Sequence, residues 1–146
     1  MSTPQEAVPD LLRRFVSTPH FADVVLEGIP LSVQTNDLQI VTEMQRSTSQ
    51  EVNLQFSRAV LVRVIRDHDA PVQNSEITML SAGPLVTLVV GTGTALALDC
   101  ERREILGFLS SSVSPERLVR ELLPILLRRF SSFALHERPG QATPAI

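Results

Sequence analysis

The fold is decided by residues 85–133, which read LVTLVVGTGTALALDCERREILGFLSSSVSPERLVRELLPILLRRFSSF. Three short runs rich in apolar residues come first, namely Val86–Val90, Ala95–Asp99 and Glu104–Leu109. The glycines of Gly91–Thr92–Gly93 tolerate the positive φ that a tight hairpin turn requires. The stretch therefore predicts a three-stranded meander that leads into an apolar helix.

This helix is predicted to begin at Ser114. Ser114 is a good N-cap, Pro115 suits the first helical position, and Glu116 complements the positive end of the helix dipole. At 100° per residue, the apolar side chains cover an arc of roughly 200°, about twice the usual core-facing stripe. They are Leu118, Val119, Leu122, Leu123, Ile125, Leu126, Leu127 and Phe130; the narrow polar side holds Arg117, Arg120, Glu121, Arg128 and Pro124. So wide an apolar arc is expected to bury a second flank, under another helix or against another subunit.

The residues before this stretch predict two helices and a hairpin. An N-terminal helix is indicated over Pro4–Val16, where apolar residues recur at spacings of three and four. A hairpin follows, because polar and apolar residues alternate on both sides of Glu27–Gly28. A middle helix is predicted over Asp37–Arg46, with Thr35 or Asn36 as its N-cap. The residues expected to face inward are Leu38, Ile40, Val41 and Met44.

Further strands complete the predicted sheet. Val52–Ser57 alternates strictly, Ala59–Arg66 is apolar on both faces and therefore central, and Glu76–Leu80 is an additional candidate. Gly107 interrupts the last strand of the meander, which indicates a bulge or a close approach by the helix. We expect one α+β domain over residues 1–136, with an antiparallel or mixed sheet of five to seven strands and helices at the N-terminus, middle and C-terminus. Residues 137–146 are expected to form a disordered tail.

Composition excludes several classes of function. A net charge of −3 and the absence of Tyr and Trp argue against a nucleic-acid-binding protein. All 13 basic residues are arginine, so no lysine is present for a Schiff base or a phosphate loop. A single cysteine cannot form an internal disulfide, no apolar run reaches the length of a membrane span, and Met1–Val8 does not resemble a secretory signal. A cytoplasmic protein is expected.

Several stretches carry reactive side chains, but none predicts a site. Asp67–His68–Asp69 could bind a metal or relay a proton, yet no histidine spacing supplies a further ligand, which favours a solvated loop. Gly91–Thr94 resembles a phosphate loop only superficially, because a strand follows it. Cys100 lies beside two arginines that could lower its pKa, although an inert thiol is favoured. Ser110–Ser114 lacks a nucleophile motif. We predict no catalytic, cofactor-binding or metal-binding residue.

Two resemblances to known families complete the sequence evidence. The runs Ile105–Leu109, Val119–Phe130 and Ala134–His136, with the serine loop between the first two, resemble the segment that precedes the P-loop in HPr kinase-like proteins. Val25–Asn36 is similar to the start of such chains. This resemblance implies an accessory or remnant piece of an HPr kinase-like system, and it implies no kinase activity because the Gly-rich loop and its lysine are absent.

The second resemblance is architectural. A small acidic protein with an N-terminal helix, a twisted sheet, a middle helix and a long apolar C-terminal helix resembles the dimeric chaperones of bacterial type III secretion. That resemblance implies a dimer that binds an extended client segment along apolar grooves.

The expected function is therefore a non-enzymatic protein-binding or regulatory module that acts as a homodimer. We expect a protein partner, or self-association, through the Leu118–Phe130 helix, and no cofactor, nucleic acid or membrane. The alternatives are the HPr kinase-like accessory role and a small enzyme that uses Asp67, His68 and Asp69. Whether the helix is buried within the chain or between subunits stays open at this stage.

Overall fold

A seven-stranded mixed sheet with helices on one face forms the body of the chain. The computed structural model describes residues 17–49, 56, 58–67, 76–91 and 93–136. Its strands are β1 His20–Leu26, β2 Ile29–Thr35, β3 Val60–Asp67, β4 Ile77–Ala82, β5 Leu85–Val90, β6 Thr94–Asp99 and β7 Glu104–Ser110. Helix α1 is Leu38–Ser47, and the C-terminal helix α2 joins Pro115–Arg117, a π-helical Leu118–Leu122 and Leu123–His136.

The α+β class and the mixed sheet are confirmed. The predictions for Pro4–Val16, for most of Val52–Ser57 and for residues 137–146 concern residues outside the described ranges.

The sheet joins a parallel part to an antiparallel part. Its strand order is β1-β2-β3-β7-β6-β5-β4. Strands β2, β3 and β7 run parallel, and every other neighbouring pair is antiparallel. Helix α1 connects β2 to β3, since parallel neighbours need a crossover. Strand β7 then returns from the meander to lie beside β3, which confirms that β3 is central.

The predicted turns are present. Glu27 and Gly28 both have positive φ, 54° and 76°, which matches the two-residue turn of a right-twisted hairpin. Gly91 has φ 61° at the turn between β5 and β6. The three meander strands occur within a residue or two of their predicted ends.

Helix α2 is buried by its own chain. Seven of the eight apolar side chains predicted to form its wide arc are at most 2% exposed; they are Leu118, Val119, Leu122, Leu123, Leu126, Leu127 and Phe130. The arc is filled on one side by the sheet and on another by α1 and Phe56, whose ring lies 5.7 Å from that of Phe130. The width of the apolar arc is therefore explained without a second subunit, and these side chains are core residues.

A π turn precedes Pro124. The N–H of Leu123 donates to the carbonyl of Leu118, five residues earlier. Proline has no N–H to donate to the residue four before it, and a wider turn accommodates this defect. The extra residue rotates the helix relative to a regular 100° wheel, so Pro124 is buried and the prediction that it faces solvent is wrong.

The start of α1 differs from the prediction by one or two residues. Asp37 is the N-cap, because its Oδ1 accepts from the N–H of Gln39 at 2.9 Å. Ile40, Val41 and Met44 are buried as predicted, whereas Leu38 is 58% exposed. The prediction for Leu38 is wrong because the helix begins at that residue, on the outer side of its first turn.

Charged side chains tie the helices to each other and to the sheet. Buried Glu43 of α1 forms an ion pair with Arg120 of α2, with 3.4 Å between Oε2 and Nε. Arg128 Nε lies 3.4 Å from Glu27 Oε1 in the β1–β2 turn, and Arg129 Nη2 donates to Ser81 Oγ of β4 at 2.8 Å. Neighbouring residues of one helix thus reach both margins of the sheet, so the sheet curves around α2.

Gly107 marks a close approach between strands. A Cβ on this residue would overlap Leu96 Cδ2 on the adjacent strand and would lie 3.6 Å from Val64 Cγ2. Of the two predicted reasons, the close approach is therefore correct, but the approaching group is a leucine of β6 rather than the helix.

We predict that Gly107→Ala lowers the free energy of unfolding by about 1–3 kcal/mol, because the added methyl group overpacks the core. Urea denaturation with an unchanged m-value measures the loss. In a Leu96→Ala background the same substitution should cost clearly less. Strictly additive losses in this double-mutant cycle would show that Leu96 is not the obstacle.

Candidate binding surface

A polar cluster lies where the parallel strands end. Arg66, at the end of β3, has a side chain only 6% exposed. Its Nε donates to Asp37 Oδ2 at 2.5 Å and its Nη1 to the carbonyl of Ser110 at 3.1 Å. Asn36 exchanges two hydrogen bonds with the main chain of Arg66, at 2.8 and 3.1 Å. These contacts join β3, β7 and the start of α1.

Hydroxyl groups extend the cluster toward β6. Thr94 Oγ1 accepts from the N–H of Ser110 at 2.9 Å, and Ser110 Oγ lies 2.6 Å from Ser112 Oγ. Among the described residues, Arg66 Nη2 is the one buried side-chain nitrogen or oxygen without a hydrogen-bond partner. The nearby cleft between α1 and the start of α2, about 220 Å³, is lined by other residues. We assign the cluster a structural role.

The sequence-predicted reactive residues do not form a catalytic site in the described part of the chain. Asp67 ends β3, while His68 and Asp69 lie outside the described residues. No group of three or more His, Cys, Asp and Glu side chains within the described ranges is placed to hold a metal ion. Gly91 and Thr94 belong to the hairpin turn and to β6, so their main chain continues into a strand and no helix begins there.

Cys100 is a buried thiol at the end of β6, 5% exposed. Burial, and to a smaller extent the nearby Asp99 carboxylate, raise the pKa of this thiol to about 11, and the Arg129 guanidinium opposes the shift. The arginine that acts on it is therefore on α2, and its effect is smaller than that of burial. The expected inert thiol agrees with this environment, because the thiolate is the reactive form.

The face of the sheet opposite the described helices is partly accessible and carries large apolar side chains; Ile65 on this face is buried. We call it the open face; in each strand it comprises the residues that alternate with the core residues. Its most exposed apolar members are Phe21, Leu61, Leu80 and Leu85, which are 64%, 50%, 60% and 50% exposed. One lateral row crosses all seven strands, and its members are Phe21, Gln34, Arg63, Leu106, Ala97, Thr87 and Leu80.

A shallow cleft lies at the centre of the open face. Its volume is about 220 Å³, and its floor crosses β2, β3 and β7. The open-face side chains that line it are Ser32, Gln34, Leu61, Arg63, Glu104 and Leu106. Apolar and charged groups therefore alternate over three neighbouring strands, which suits an amphipathic segment more than a small apolar ligand.

The open face is acidic. Its described strands carry four carboxylates, Asp23, Asp67, Asp99 and Glu104, and one guanidinium, Arg63. Asp99 Oδ1 accepts from the main-chain N–H groups of Glu101 and Arg102 in the β6–β7 turn, at 3.1 and 3.0 Å. Asp23 and Glu104 place negative charge on the described part of this face, which favours basic groups on a partner.

The sequence contained one signal of this surface. Strand β3 was predicted to be apolar on both faces; on the second face Leu61 is half exposed, whereas Ile65 is buried. That pattern predicts a central strand equally well, because a central strand of a covered sheet is also apolar on both sides. Whether the second apolar face of β3 is exposed or covered depends on where the helices pack, and this is determined by contacts between residues far apart in sequence.

Comparisons with known proteins gave no match. No family model matches the chain, and neither the curated proteins nor the solved structures contain a match. None of the described helices has both the length and the apolar character needed to cross a membrane.

We predict that Asp37→Asn lowers the free energy of unfolding by about 3–5 kcal/mol, because it leaves the buried Arg66 guanidinium without its counter-charge. Asparagine is as good an N-cap as aspartate, so the substitution retains the cap and removes the charge. Denaturant unfolding measures the loss.

The matched control is Glu121→Gln, which removes a carboxylate from the exposed pair with Arg117. Its cost should stay below about 1 kcal/mol. Equal small losses for both variants would contradict a structural role for the Asp37–Arg66 pair.

We predict that native Cys100 reacts slowly with an alkylating reagent. A rise in pKa from 9.0 to about 11 lowers the thiolate fraction roughly 100-fold near neutral pH, before burial restricts access. The rate should increase about tenfold per pH unit up to about pH 11, as the thiolate fraction does. Mass spectrometry follows the labelling.

An exposed thiol introduced by Leu61→Cys provides the comparison, and it should be labelled much faster than Cys100 in the same molecule. Comparable rates for the two thiols would contradict the assignment of one residue to the core and the other to the open face.

Proposed function

We propose that this chain is a non-enzymatic protein-binding module that acts as a homodimer in the cytoplasm. The binding surface is the open face, and the partner is a basic amphipathic segment of another protein. Cys100 is a free, buried thiol, which is compatible with a reducing compartment.

The observation that carries this proposal is the exposed apolar side chains of the open face. Phe21 lies beside Gln34 in the row that continues through Arg63, and Leu61 lies on the next row, beside the central cleft. Leu61 and Leu106 are diagonal neighbours on adjacent strands and form the apolar part of the cleft, and exposed apolar surface rimmed by polar residues is characteristic of interaction sites in soluble proteins. The described apolar residues of α2 offer no equivalent surface, since seven of them are buried in the core.

The charge of the open face specifies the partner further. Leu61 and Leu106 provide apolar contacts in the cleft, and Glu104 lies at its rim beside Leu61 in the next strand. A segment with leucine-like residues on one side and lysine or arginine at its margins satisfies both features. A segment with acidic margins would place like charges together, which costs binding energy.

Two synthetic amphipathic peptides that share their leucine positions test this proposal, one with lysine and one with glutamate at the polar positions. We expect the lysine peptide to bind, measured by fluorescence anisotropy, and Glu104→Arg to weaken its binding by about tenfold. Amide chemical shifts should change in β2, β3 and β7 on titration.

The matched control is Glu116→Arg, an exposed charge reversal on the helix side of the molecule. It should leave the affinity within about twofold, since Glu116 is remote from the cleft. Equal binding of both peptides, or shift changes confined to α1 and α2, would contradict the open face as the binding surface.

A further inference from the structure

The two edges of the sheet are different. At the β1 edge, the N–H of Val25 donates to Thr48 Oγ1 at 2.8 Å, and its carbonyl accepts from the N–H of Ser49 at 2.7 Å. The chain that leaves α1 therefore occupies this edge. Asp23, an exposed charge two residues away, further discourages another strand from pairing there.

The β4 edge is open in the described part of the chain. The N–H of Gly91 donates to the carbonyl of Glu76. The main-chain N–H and C=O groups of Glu76, and of every second residue after it in β4, therefore point toward β5. The main-chain groups of Ile77, Met79 and Ser81 consequently point away from the sheet. No described residue forms a hydrogen bond with these outward main-chain groups.

Strand β4 lacks the features that protect an edge. Its sequence, ITMLSA, contains no charge and no proline, and five of its six residues are exposed. Met79 and Leu80 expose apolar side chains on opposite faces, 41% and 60%. An uncharged, exposed, apolar edge of this kind is a template for pairing with another strand.

We propose that a second copy of this chain pairs with β4 in an antiparallel arrangement, so that the two sheets become continuous. In the register that uses every outward group, Met79 faces Met79 of the partner subunit and Ile77 faces Ser81 of the partner subunit. This register provides about six main-chain hydrogen bonds. It brings no charged residues of the two strands together, which is why the strand is compatible with its own copy.

This inference rests on the homodimer of the proposed function and gives that dimer an interface. It is independent of the open-face cleft, because β4 lies at the far edge of the sheet from β2 and three strands away from β7. One dimer therefore presents two clefts on one continuous face.

Charge substitutions at Met79 test the register. Met79 is exposed, so Met79→Lys and Met79→Glu should each fold, but each places two like charges opposite one another across the dimer axis. We expect sedimentation equilibrium to show a dimer for the native chain and a dissociation constant higher by on the order of tenfold for each variant. An equimolar mixture of the two variants should regain native-like association, because opposite charges then face each other.

Two further variants separate the possible outcomes. Met79→Pro removes an outward N–H, which an edge strand tolerates, and it should abolish the dimer. Leu61→Lys adds a charge on β3 at the centre of the open face and should leave the dimer intact.

Failure of the mixture to recover association, or a dimer unaffected by Met79→Lys and Met79→Pro, would overturn the β4 interface while the homodimer itself stands. A native chain that stays monomeric would overturn both this interface and the homodimer of the proposed function.

Discussion

The buried pair between Arg66 and Asp37 is the contact on which the arrangement of this protein depends. Arg66 ends β3, and Asp37 caps α1, so their ion pair fixes the point where the chain leaves the sheet to cross its face. A guanidinium buried in this way is stable only with its carboxylate and its other acceptors in place. The position of α1 then determines which residues the C-terminal end of this helix contacts.

Two consequences follow from the position of α1. The C-terminal end of α1 places Thr48 and Ser49 next to Val25, and their hydrogen bonds with Val25 occupy the β1 edge. Glu43, in the middle of α1, forms an ion pair with Arg120 of α2. This contact places α2 beside α1, where the apolar side chains of α2 are buried in the core. All helices of the described chain therefore pack on one face, and the part of the other face around Leu61 stays accessible together with the β4 edge. The proposed partner and the proposed second copy use those two surfaces.

Local chemistry predicted much of the fold. The positive φ of Glu27 and Gly28, the glycine turn at Gly91 and the Ser114 N-cap depend on neighbouring residues, and all three were predictable. A regular helical wheel placed Pro124 on the wrong side of α2, because the π turn before it rotates the following residues. The parallel neighbours of β3 and the exposure of Leu38 depend on contacts between residues far apart in sequence, which periodicity does not report.

The candidate surface was predicted less well than the fold. A wide apolar arc on α2 indicated a partner, but α1, the sheet and Phe56 fill that arc. Leu61, Leu80 and Leu85 become a surface only through the strand order, and the unpaired groups of β4 follow from its place at the end of that order. The sequence shows the apolar character of these residues but does not assign them to a face or an edge.

The fold closes one edge of the sheet by itself, and we propose that the other edge is left for a second copy. Residue-resolved amide hydrogen exchange at low and high protein concentration distinguishes the two edges. We expect the Val25 amide to be protected at both concentrations, whereas the amides of Ile77, Met79 and Ser81 should be protected only where the dimer is populated. Rapid exchange of the three β4 amides at every concentration, or of Val25 at either, would contradict it.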